Sequence, residues 1–384
     1  MDRDIIIAFI VFQMTFLFLD IYILLKTNRD IVRQGEYTWF CALTVTHMVY
    51  LVLNSIWSLK EYDLINVSRP ALTVLYTVSL WTVTNCATSF FLFVVEKLQL
   101  KKLRTGAGKW LRQLPAAVAT LLLAISPWTG LVFRVSEEGY LVHGSMYLPM
   151  VLISSLYLLA VAAIAAVRMF REHTTFMRRA NGALFVSVLI ILLFIIVDGT
   201  MSKASILPAA VFAVILIIFV TLQEAGINSD ALTGMNNRRR AEEYLEEALA
   251  TASPANPVYL YIGDLNGFKK INDTYGHIEG DEALILCSGA LKRTAAQTNG
   301  FAARYGGDEF LMVWRPGKGK QDDPGQLVQL VGRYLQECSA EKPYKLEMCV
   351  GYARCTQPRE PLRACFSRAD EMLYREKAAV NAGR

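Results

Sequence analysis

Seven apolar runs follow one another in the first 223 residues, and they constrain the fold more than any other feature of the sequence. They cover residues 5–25, 37–59, 71–95, 115–133, 145–167, 181–200 and 204–222. A helix needs about 20 apolar residues to cross the hydrocarbon core of a bilayer. The sequence therefore predicts an α-helical membrane bundle of seven spans. The fourth run is the weakest because Ser126, Pro127 and Trp128 interrupt it.

The basic residues between these runs predict an orientation, because Lys and Arg in short loops are retained on the cytoplasmic side. The first, third and fifth loops carry Lys26, Arg29 and Arg33; Lys97, Lys101, Lys102, Arg104, Lys109 and Arg112; and Arg168, Arg171, Arg178 and Arg179. The opposite side has only Arg3, Lys60, Arg69, Arg134 and Lys203. With seven spans, the amino terminus lies outside and everything after residue 223 lies in the cytoplasm. No signal peptide is predicted.

Polar residues inside the spans are candidates for ligand contacts or for helix bending, because such residues are costly in a membrane. They are Gln13, Asp20, His47, Asn54, Asn85 and Pro208. Hydrogen bonding between helices is the more common role of such side chains. The sequence names no ligand for them.

Composition excludes some functions for the rest of the chain. The net charge is only +5, and no basic stripe is interleaved with aromatic residues, so nucleic acid is not a predicted partner. The seven cysteines include no Cys-x-x-Cys pair, and five of them follow residue 223. Reduced thiols in a cytosolic unit fit this pattern better than disulfides or zinc ligands.

After residue 223 the sequence reads as a mixed α/β unit with a central sheet flanked by helices. Helical periodicity covers residues 238–251, 278–294, 325–338 and 361–380. Strand patterns cover residues 257–264, 300–305, 309–314 and 346–353. Gly306 and Gly307 lie between two apolar runs and predict a hairpin.

Three groups of polar residues in this unit can carry chemistry. They are Asp264 with Lys269; Asn272, His277 and Asp281; and Asp308 with Glu309. If the hairpin pairs beside the first strand, Asp264 and Asp308 converge on one point. Carboxylates of this kind, with water and phosphate oxygens, are what Mg²⁺ prefers. No P-loop or Gly-x-Gly-x-x-Gly phosphate loop is present.

The segment from Arg304 to Phe310, RYGGDEF, resembles the signature turn of the GGDEF family. Similar blocks occur at 230–239, with Met235 where Leu is usual; at 264–281, with Asn266 where Asp is frequent; at 349–353; and at 369–377. The match covers about 230–381. It implies a nucleotide-cyclase-like palm at 230–384, preceded by a transmembrane sensor region at 1–223 and a short helical linker at 224–229.

The resemblance implies a membrane-bound diguanylate cyclase of the bacterial inner membrane, which condenses two GTP into cyclic di-GMP and two pyrophosphates in a homodimer. Asp264, Asp308 and the carbonyl of Leu265 would hold Mg²⁺. The catalytic residues would be Asp308, Glu309 and Lys269, and the substrate would also contact Phe268, Asn272, His277, Asp281, Gly306, Gly307 and Lys377. His277 could equally well only close the turn after Gly276.

The sequence departs from the family at two places. The product-inhibition site of the family uses an Arg-x-x-Asp pair, and this chain has Gln297 and Gly300 there. The last helix has Val380-Asn381 where Gly-Arg is expected, so one phosphate-binding cation is missing. Two other functions stay open: a catalytically silent GGDEF module that binds nucleotide or a partner, and a seven-span transporter or receptor with an accessory domain.

Overall fold

The computed structural model describes residues 2–27, 34–171, 175–198, 205–316 and 323–382. Arg29, Arg33 and Lys203 lie outside the described residues, as do the side chains of Arg3 and Asn381. The chain forms two compact units, Met1–Glu224 and Ala225–Arg384. They are called the membrane unit and the GGDEF-like unit below.

The described part of the membrane unit is mostly helical. Its elements are α1 (Asp2–Lys26), α2 (Gln34–Glu61), α3 (Arg69–Lys97), α4 (Lys101–Arg104), α5 (Ala107–Leu111), α6 (Leu114–Thr129), β1 (Phe133–Val135), β2 (Leu141–His143), α7 (Tyr147–Arg171), α8 (Thr175–Asp198) and α9 (Leu207–Ile227). Six of these helices, α1, α2, α3, α7, α8 and α9, are long and apolar enough to cross a membrane. Six of the seven predicted spans thus correspond to such helices.

The fourth predicted span forms the shorter helix α6, which has 16 residues. At 1.5 Å per residue, α6 is about 24 Å long, less than the about 30 Å of a hydrocarbon core. It ends at Gly130, whose φ of 65° caps the helix in the left-handed conformation. The hydroxyl of Ser126 accepts hydrogen bonds from the backbone N–H groups of Val132 and Phe133, which turns the chain into the unpredicted hairpin of β1 and β2.

The segment containing α6 nevertheless runs from one end of α3 to the other. Before α6 begins, Arg112 pairs with Glu96 near the carboxyl end of α3, with Nη1 and Oε1 3.2 Å apart. After α6 ends, the ring of Phe133 lies 6.2 Å from that of Tyr76, near the amino end of α3. Residues 112–133 therefore pass antiparallel along most of α3.

Large apolar side chains of the membrane unit lie on both its inside and its outside. Phe40, Phe93 and Ile215 are fully buried in the interior cluster. Phe18 and Phe170 are exposed by 70% and 82%, which water would penalise and lipid would not. This distribution fits a helical bundle surrounded by hydrocarbon.

The GGDEF-like unit has one antiparallel sheet with strand order β4-β5-β3-β6. Its elements are α10 (Arg238–Leu249), β3 (Val258–Leu265), α11 (Phe268–Tyr275), α12 (His277–Thr298), β4 (Phe301–Gly306), β5 (Glu309–Trp314), α13 (Pro324–Cys338), β6 (Met348–Cys355) and α14 (Leu362–Ala382). All predicted strands and helices of this unit are confirmed within a few residues. Helix α11 was not predicted as a helix.

The sheet is covered on both faces, and this explains why β3 reads as a continuous apolar run. Tyr259 and Tyr261 pack into the cluster beneath α12 and α13, whereas Leu260 and Ile262 pack into the cluster beneath α10 and α14. The predicted central sheet flanked by helices is therefore confirmed. One of its two inner strands, β3, ends at Asp264 and Leu265.

Candidate active site

The hairpin of β4 and β5 brings its acidic residues to the end of β3, where Asp264 lies. Gly306 pairs with Glu309, so Gly307 and Asp308 form the turn, and the predicted hairpin is confirmed. Gly307 has a φ of 49°, a conformation that glycine adopts without strain. Strand β5 pairs with β3, and the N–H of Leu265 donates to the carbonyl oxygen of Asp308 over 3.2 Å. The sheet thus places Asp264 and Asp308 together at the same end of its strands, as predicted.

Asp264 lies directly opposite Glu309 in the antiparallel ladder. Like charges in directly opposed positions destabilise a sheet unless a cation lies between or beside them. Lys377 of α14 provides one such cation, because its Nζ lies 2.7 Å from Oδ2 of Asp264. The side chains of Asp264 and Lys377 are 18% and 39% exposed, so this pair is open to solvent on one side.

The donor atoms at this edge fit a hard divalent cation. The carboxylates of Asp264 and Asp308 and the carbonyl of Leu265 are oxygen ligands of the kind that Mg²⁺ takes together with water and phosphate. Within the described ranges, the only three metal-binding side chains with atoms all within 4.8 Å of one another are Cys355, Glu360 and Cys365, far along the chain. At Asp264, a cation would be offered the carboxylates of Asp264 and Asp308 and the carbonyl of Leu265.

Two charged residues that the sequence did not suggest as site residues hold the hairpin turn in place. Arg304 donates through Nε to the carbonyl oxygen of Gly307 over 2.9 Å and through Nη1 to Oδ1 of Asp230 over 3.0 Å. Asp230 also accepts from the N–H and hydroxyl of Thr233. Burial alone would raise the pKa of Asp230, but the hydrogen bonds from Thr233 and Arg304 outweigh it and lower that pKa. The sequence offered one indication of this role: Asp230 lies in the 230–239 block and Arg304 in the RYGGDEF segment, both of which resemble the family.

The residues predicted to contact the base lie around the corner between α11 and α12. A Cβ on Gly280 would come within 1.9 Å of Oδ1 of Asn272, so the missing side chain lets the two helices meet here. Asp281 follows Gly280 and is exposed. Gly276, with a φ of 86°, ends α11, and the exposed His277 begins α12.

The predicted site residues therefore fall into two groups. Asp264, Leu265, Asp308, Glu309 and Lys377 lie together at the strand ends, and Asn272 and Asp281 lie on adjoining helices. Of the rest, Gly306 and Gly307 have no protein atom within 4 Å of an added Cβ, so the turn faces open space. Lys269 is exposed in the first turn of α11, whereas Phe268 packs partly buried against the core.

The structure also connects three of the polar residues predicted in the spans. His47 of α2 contacts Asp20 of α1 through Nδ1 at 2.7 Å and the carbonyl of Pro208 of α9 through Nε2 at 2.9 Å. Asp20 and His47 are fully buried. This cluster links three helices of the membrane unit.

The remaining intramembrane candidates behave differently. Asn54 donates to the carbonyl of Ser205, and Asn85 donates to Trp81 within its own helix. The amide nitrogen and oxygen of Gln13 are both buried without a hydrogen-bond partner in the described structure. Hydrogen bonding to another segment thus accounts for Asn54, whereas the bond of Asn85 stays within α3 and Gln13 has none in the described structure.

The positions of the family's product-inhibition pair carry no charge. Gln297, near the end of α12, accepts a hydrogen bond from the hydroxyl of Tyr334. Gly300 precedes β4, and its N–H donates to the carbonyl of Ala295. Neither residue offers a guanidinium or a carboxylate to a ligand.

Comparison with known proteins places the carboxy-terminal unit in a family. Residues 227–382 match the family described as "Diguanylate cyclase, GGDEF domain". The chain is 33% identical over 154 residues to "Diguanylate cyclase DgcZ" of Escherichia coli, a match that covers 39% of this chain and 50% of that protein. It is 32% identical over 155 residues to "Diguanylate cyclase DgcP" of Pseudomonas aeruginosa, covering 39% of this chain and 22% of that protein.

Solved structures similar to this chain include the coiled coil and GGDEF domain of DgcB from Caulobacter crescentus in complex with c-di-GMP. It is 26% identical, with a TM-score of 0.38, and the match covers 43% of this chain and 87% of that one. The chain spans half or less of the two curated relatives named above. Its carboxy-terminal unit is a GGDEF domain, and the resemblance drawn from the motifs is confirmed.

Proposed function

We propose that this protein is a membrane-bound diguanylate cyclase that joins two GTP molecules into cyclic di-GMP and releases two pyrophosphates. The observation that carries the proposal is the convergence of Asp264, Asp308 and Lys377 at one sheet edge of a GGDEF domain. The names of the curated relatives support the same activity.

In the proposed reaction, Asp264, Asp308 and the carbonyl of Leu265 would hold Mg²⁺, which would supply Lewis-acid chemistry that makes the ribose 3′-hydroxyl more acidic and neutralises charge on the α-phosphate. The proton of that hydroxyl is accepted by Asp308, in the hairpin turn, or by Glu309, the first residue of β5. Lys269 and Lys377 bind the triphosphate as point charges and stabilise the leaving pyrophosphate.

The selectivity for GTP follows from the corner of α11 and α12. The carboxylate of Asp281 accepts from N1–H and the 2-amino group of guanine, which adenine lacks, and Asn272 supplies a further hydrogen bond. Phe268 and His277 complete the substrate contacts, and the bare turn at Gly306 and Gly307 lets the nucleotide approach the backbone. Lys377, whose Nζ lies 2.7 Å from Oδ2 of Asp264, would bind the phosphates beside that carboxylate.

Two GTP molecules must face each other, each with its 3′-hydroxyl aimed at the α-phosphate of the other. One active site therefore needs two copies of the GGDEF domain, and the proposed enzyme works as a homodimer. Dimerisation is therefore required for catalysis itself.

In the proposed topology, the segment around α6 makes the fourth of seven crossings of the bacterial inner membrane. Its passage along α3 supports this despite the short helix. The basic loops then lie inside, the amino terminus lies outside, and the GGDEF domain lies in the cytoplasm, where GTP is available. The membrane unit regulates the cyclase in response to a signal that its residues do not name.

The decisive experiment supplies GTP and Mg²⁺ to membranes containing the full chain and measures cyclic di-GMP and pyrophosphate. Asp308→Asn should abolish product, whereas Glu246→Gln, which removes an exposed carboxylate of α10, should not. A dimeric wild-type preparation that binds GTP but forms no product would instead identify a catalytically silent module.

The proposed enzyme should not be inhibited by cyclic di-GMP through the Gln297 and Gly300 positions. Neither residue has the charge needed to bind a guanine edge and a phosphate there. Initial rates of pyrophosphate release should stay constant as cyclic di-GMP is added. Tight inhibition that disappears when Gln297 and Gly300 are both replaced would contradict this prediction.

A further inference from the structure

Two cysteines outside the proposed active site lie in direct contact. Cys355 ends β6, and Cys365 lies in the first turn of α14, ten residues later. Their Sγ atoms are 3.1 Å apart, and both side chains are fully buried. None of the nine residues between them is buried.

Charged groups surround this cysteine pair. A carboxylate oxygen of Glu360 lies within 4.8 Å of both sulfurs. Arg368 pairs with Glu360 at 2.5 Å, and its Nη2 lies 3.4 Å from Sγ of Cys355. An adjacent guanidinium favours the thiolate form, which is the reactive form of cysteine.

The two thiols have different hydrogen-bonding roles. Cys355 donates its S–H to Sγ of Cys365 over 3.1 Å. This donation lowers the pKa of Cys365, whereas burial and Glu360 raise it. The direction of the hydrogen bond makes Cys365 the attacking thiolate and Cys355 the thiol that resolves the intermediate.

We propose that Cys355 and Cys365 form a redox modification site, in which a peroxide converts the pair into an intramolecular disulfide. The thiolate of Cys365 attacks one oxygen of hydrogen peroxide: an S–O bond forms, the O–O bond breaks and hydroxide leaves. Cys355 then attacks this sulfenic sulfur, the S–S bond forms, the S–O bond breaks and water leaves. Both sulfurs are oxidised, and the peroxide is reduced to two water molecules once the departing hydroxide takes up the proton that Cys365 lost in forming its thiolate.

A metal site is the competing interpretation of the same cluster. Two thiolates bound to one tetrahedral zinc, each at about 2.3 Å, would be about 3.8 Å apart, farther than the sulfurs are here. The cluster also offers only three ligands, and Arg368 already occupies the carboxylate of Glu360. The geometry favours a bond between the sulfurs.

The modification would act on the helix that reaches the proposed active site. Helix α14 also carries Glu376, which accepts from the N–H of Val350 over 2.8 Å, and Lys377, which pairs with Asp264. A disulfide would tie the first turn of this helix to the end of β6. The modification itself does not depend on the proposed cyclase activity.

The test uses the full chain in detergent, treated with hydrogen peroxide and then with N-ethylmaleimide, and digested by trypsin without reduction. Trypsin releases residues 355–359 and 364–368, each with one of the two cysteines. Mass spectrometry should find these peptides linked, with the loss of two hydrogen atoms, and dithiothreitol should separate them. The link should form several-fold faster in the folded chain than in guanidinium chloride.

Matched variants make the test specific. Cys365→Ser should abolish the link, whereas Cys349→Ser, which removes another buried thiol of β6, should leave it unchanged. Arg368→Gln should slow the link several-fold, and Arg375→Gln on the same helix should not. The proposal fails if peroxide oxidises either cysteine singly without a link, if Arg368→Gln has no effect, or if one zinc ion protects both thiols from alkylation.

Discussion

At the residue scale, the pair of Asp230 and Arg304 shows how two distant blocks of sequence position one turn. The two residues are separated by 74 positions, and Arg304 also donates to Gly307 beside the proposed catalytic Asp308. Neither is among the residues proposed to contact the substrate. We interpret them as positioning residues for the hairpin.

Asp230→Asn should therefore lower both stability and turnover. Loss of one charge-assisted hydrogen bond in a partly exposed pair costs about 1 to 2 kcal/mol. The free energy of unfolding in urea should fall by this amount in Asp230→Asn and in Arg304→Gln. The double variant should cost less than the sum, since the two changes remove the same bond; full additivity would contradict the prediction.

The same pair predicts a pH dependence. The pKa of Asp230 is lowered in the folded protein, so its stabilisation is present above the ordinary carboxyl range and is lost as the pH falls through the folded-state value. Asp230→Asn should flatten the acid limb of the stability curve. It should leave the neutral and alkaline limbs parallel to those of the wild type.

Replacing Gly280 should change the affinity for the substrate. A second glycine of the same helix, Gly289, provides the control variant. A Cβ at Gly280 would displace the side chain of Asn272, whereas an added Cβ at Gly289 meets no atom within 4 Å. Gly280→Ala should raise KM for GTP about tenfold, equivalent to the loss of one hydrogen bond of about 1.4 kcal/mol. Gly289→Ala should leave KM unchanged and raise Tm slightly, because alanine favours helix. Equal KM values in both variants would show that Asn272 does not contribute to guanine recognition.

At the scale of elements, the contact between β6 and α14 determines where Lys377 lies. A Cβ on Gly351 would come within 2.2 Å of the carbonyl oxygen of Ala369 and 2.3 Å of the N–H nitrogen of Leu373. These are backbone atoms of α14, so they cannot turn aside as a flexible side chain could. The absence of a side chain in β6 thus allows the helix to lie close to the sheet.

Gly351→Ala should destabilise the GGDEF domain by about 1 to 3 kcal/mol, which is typical of overpacking in a filled core. It should also lower turnover, since α14 shifts and carries Lys377 away from Asp264. Gly332→Ala in α13 is the control, because its Cβ would meet open space. Chemical unfolding and initial rates measure the two effects, and an unchanged unfolding midpoint in Gly351→Ala would refute the packing argument.

At the scale of the whole molecule, the last apolar helix ends close to the first motif of the GGDEF domain. Helix α9 ends at Ile227, and Asp230 comes after two intervening residues. This leaves no room for a separate sensor domain or a long coiled coil between them. We infer that the last span itself passes the signal to the paired catalytic domains.

Alanine insertions after Gly226 test this inference. Each inserted helical residue rotates the GGDEF domain by about 100° relative to the last span and advances it by about 1.5 Å, so two or four residues should change cyclase activity. Seven residues, nearly two full turns, should restore much of it. Cyclic di-GMP formation in membranes measures the series, and equal activity at every length would indicate a flexible tether.

Features that depend on local pattern could be predicted from the amino-acid sequence. Apolar length predicted the spans, alternation and periodicity predicted the strands and helices, and the motif RYGGDEF predicted the hairpin and its family. The short length of α6 was not predicted, because the left-handed cap at Gly130 depends on how the next residues pack. Helix α11 was not predicted because its eight residues carry too short a periodic pattern.

Contacts between residues far apart in the chain depend on how the folded elements pack. The order of β5, β3 and β6 places Asp264, Asp308 and Lys377 together, and bundle packing joins Asp20, His47 and Pro208. The contact of Cys355 with Cys365 is likewise set by the docking of α14 on β6. Such contacts lie outside local pattern because they depend on how complete elements fill the space around one another.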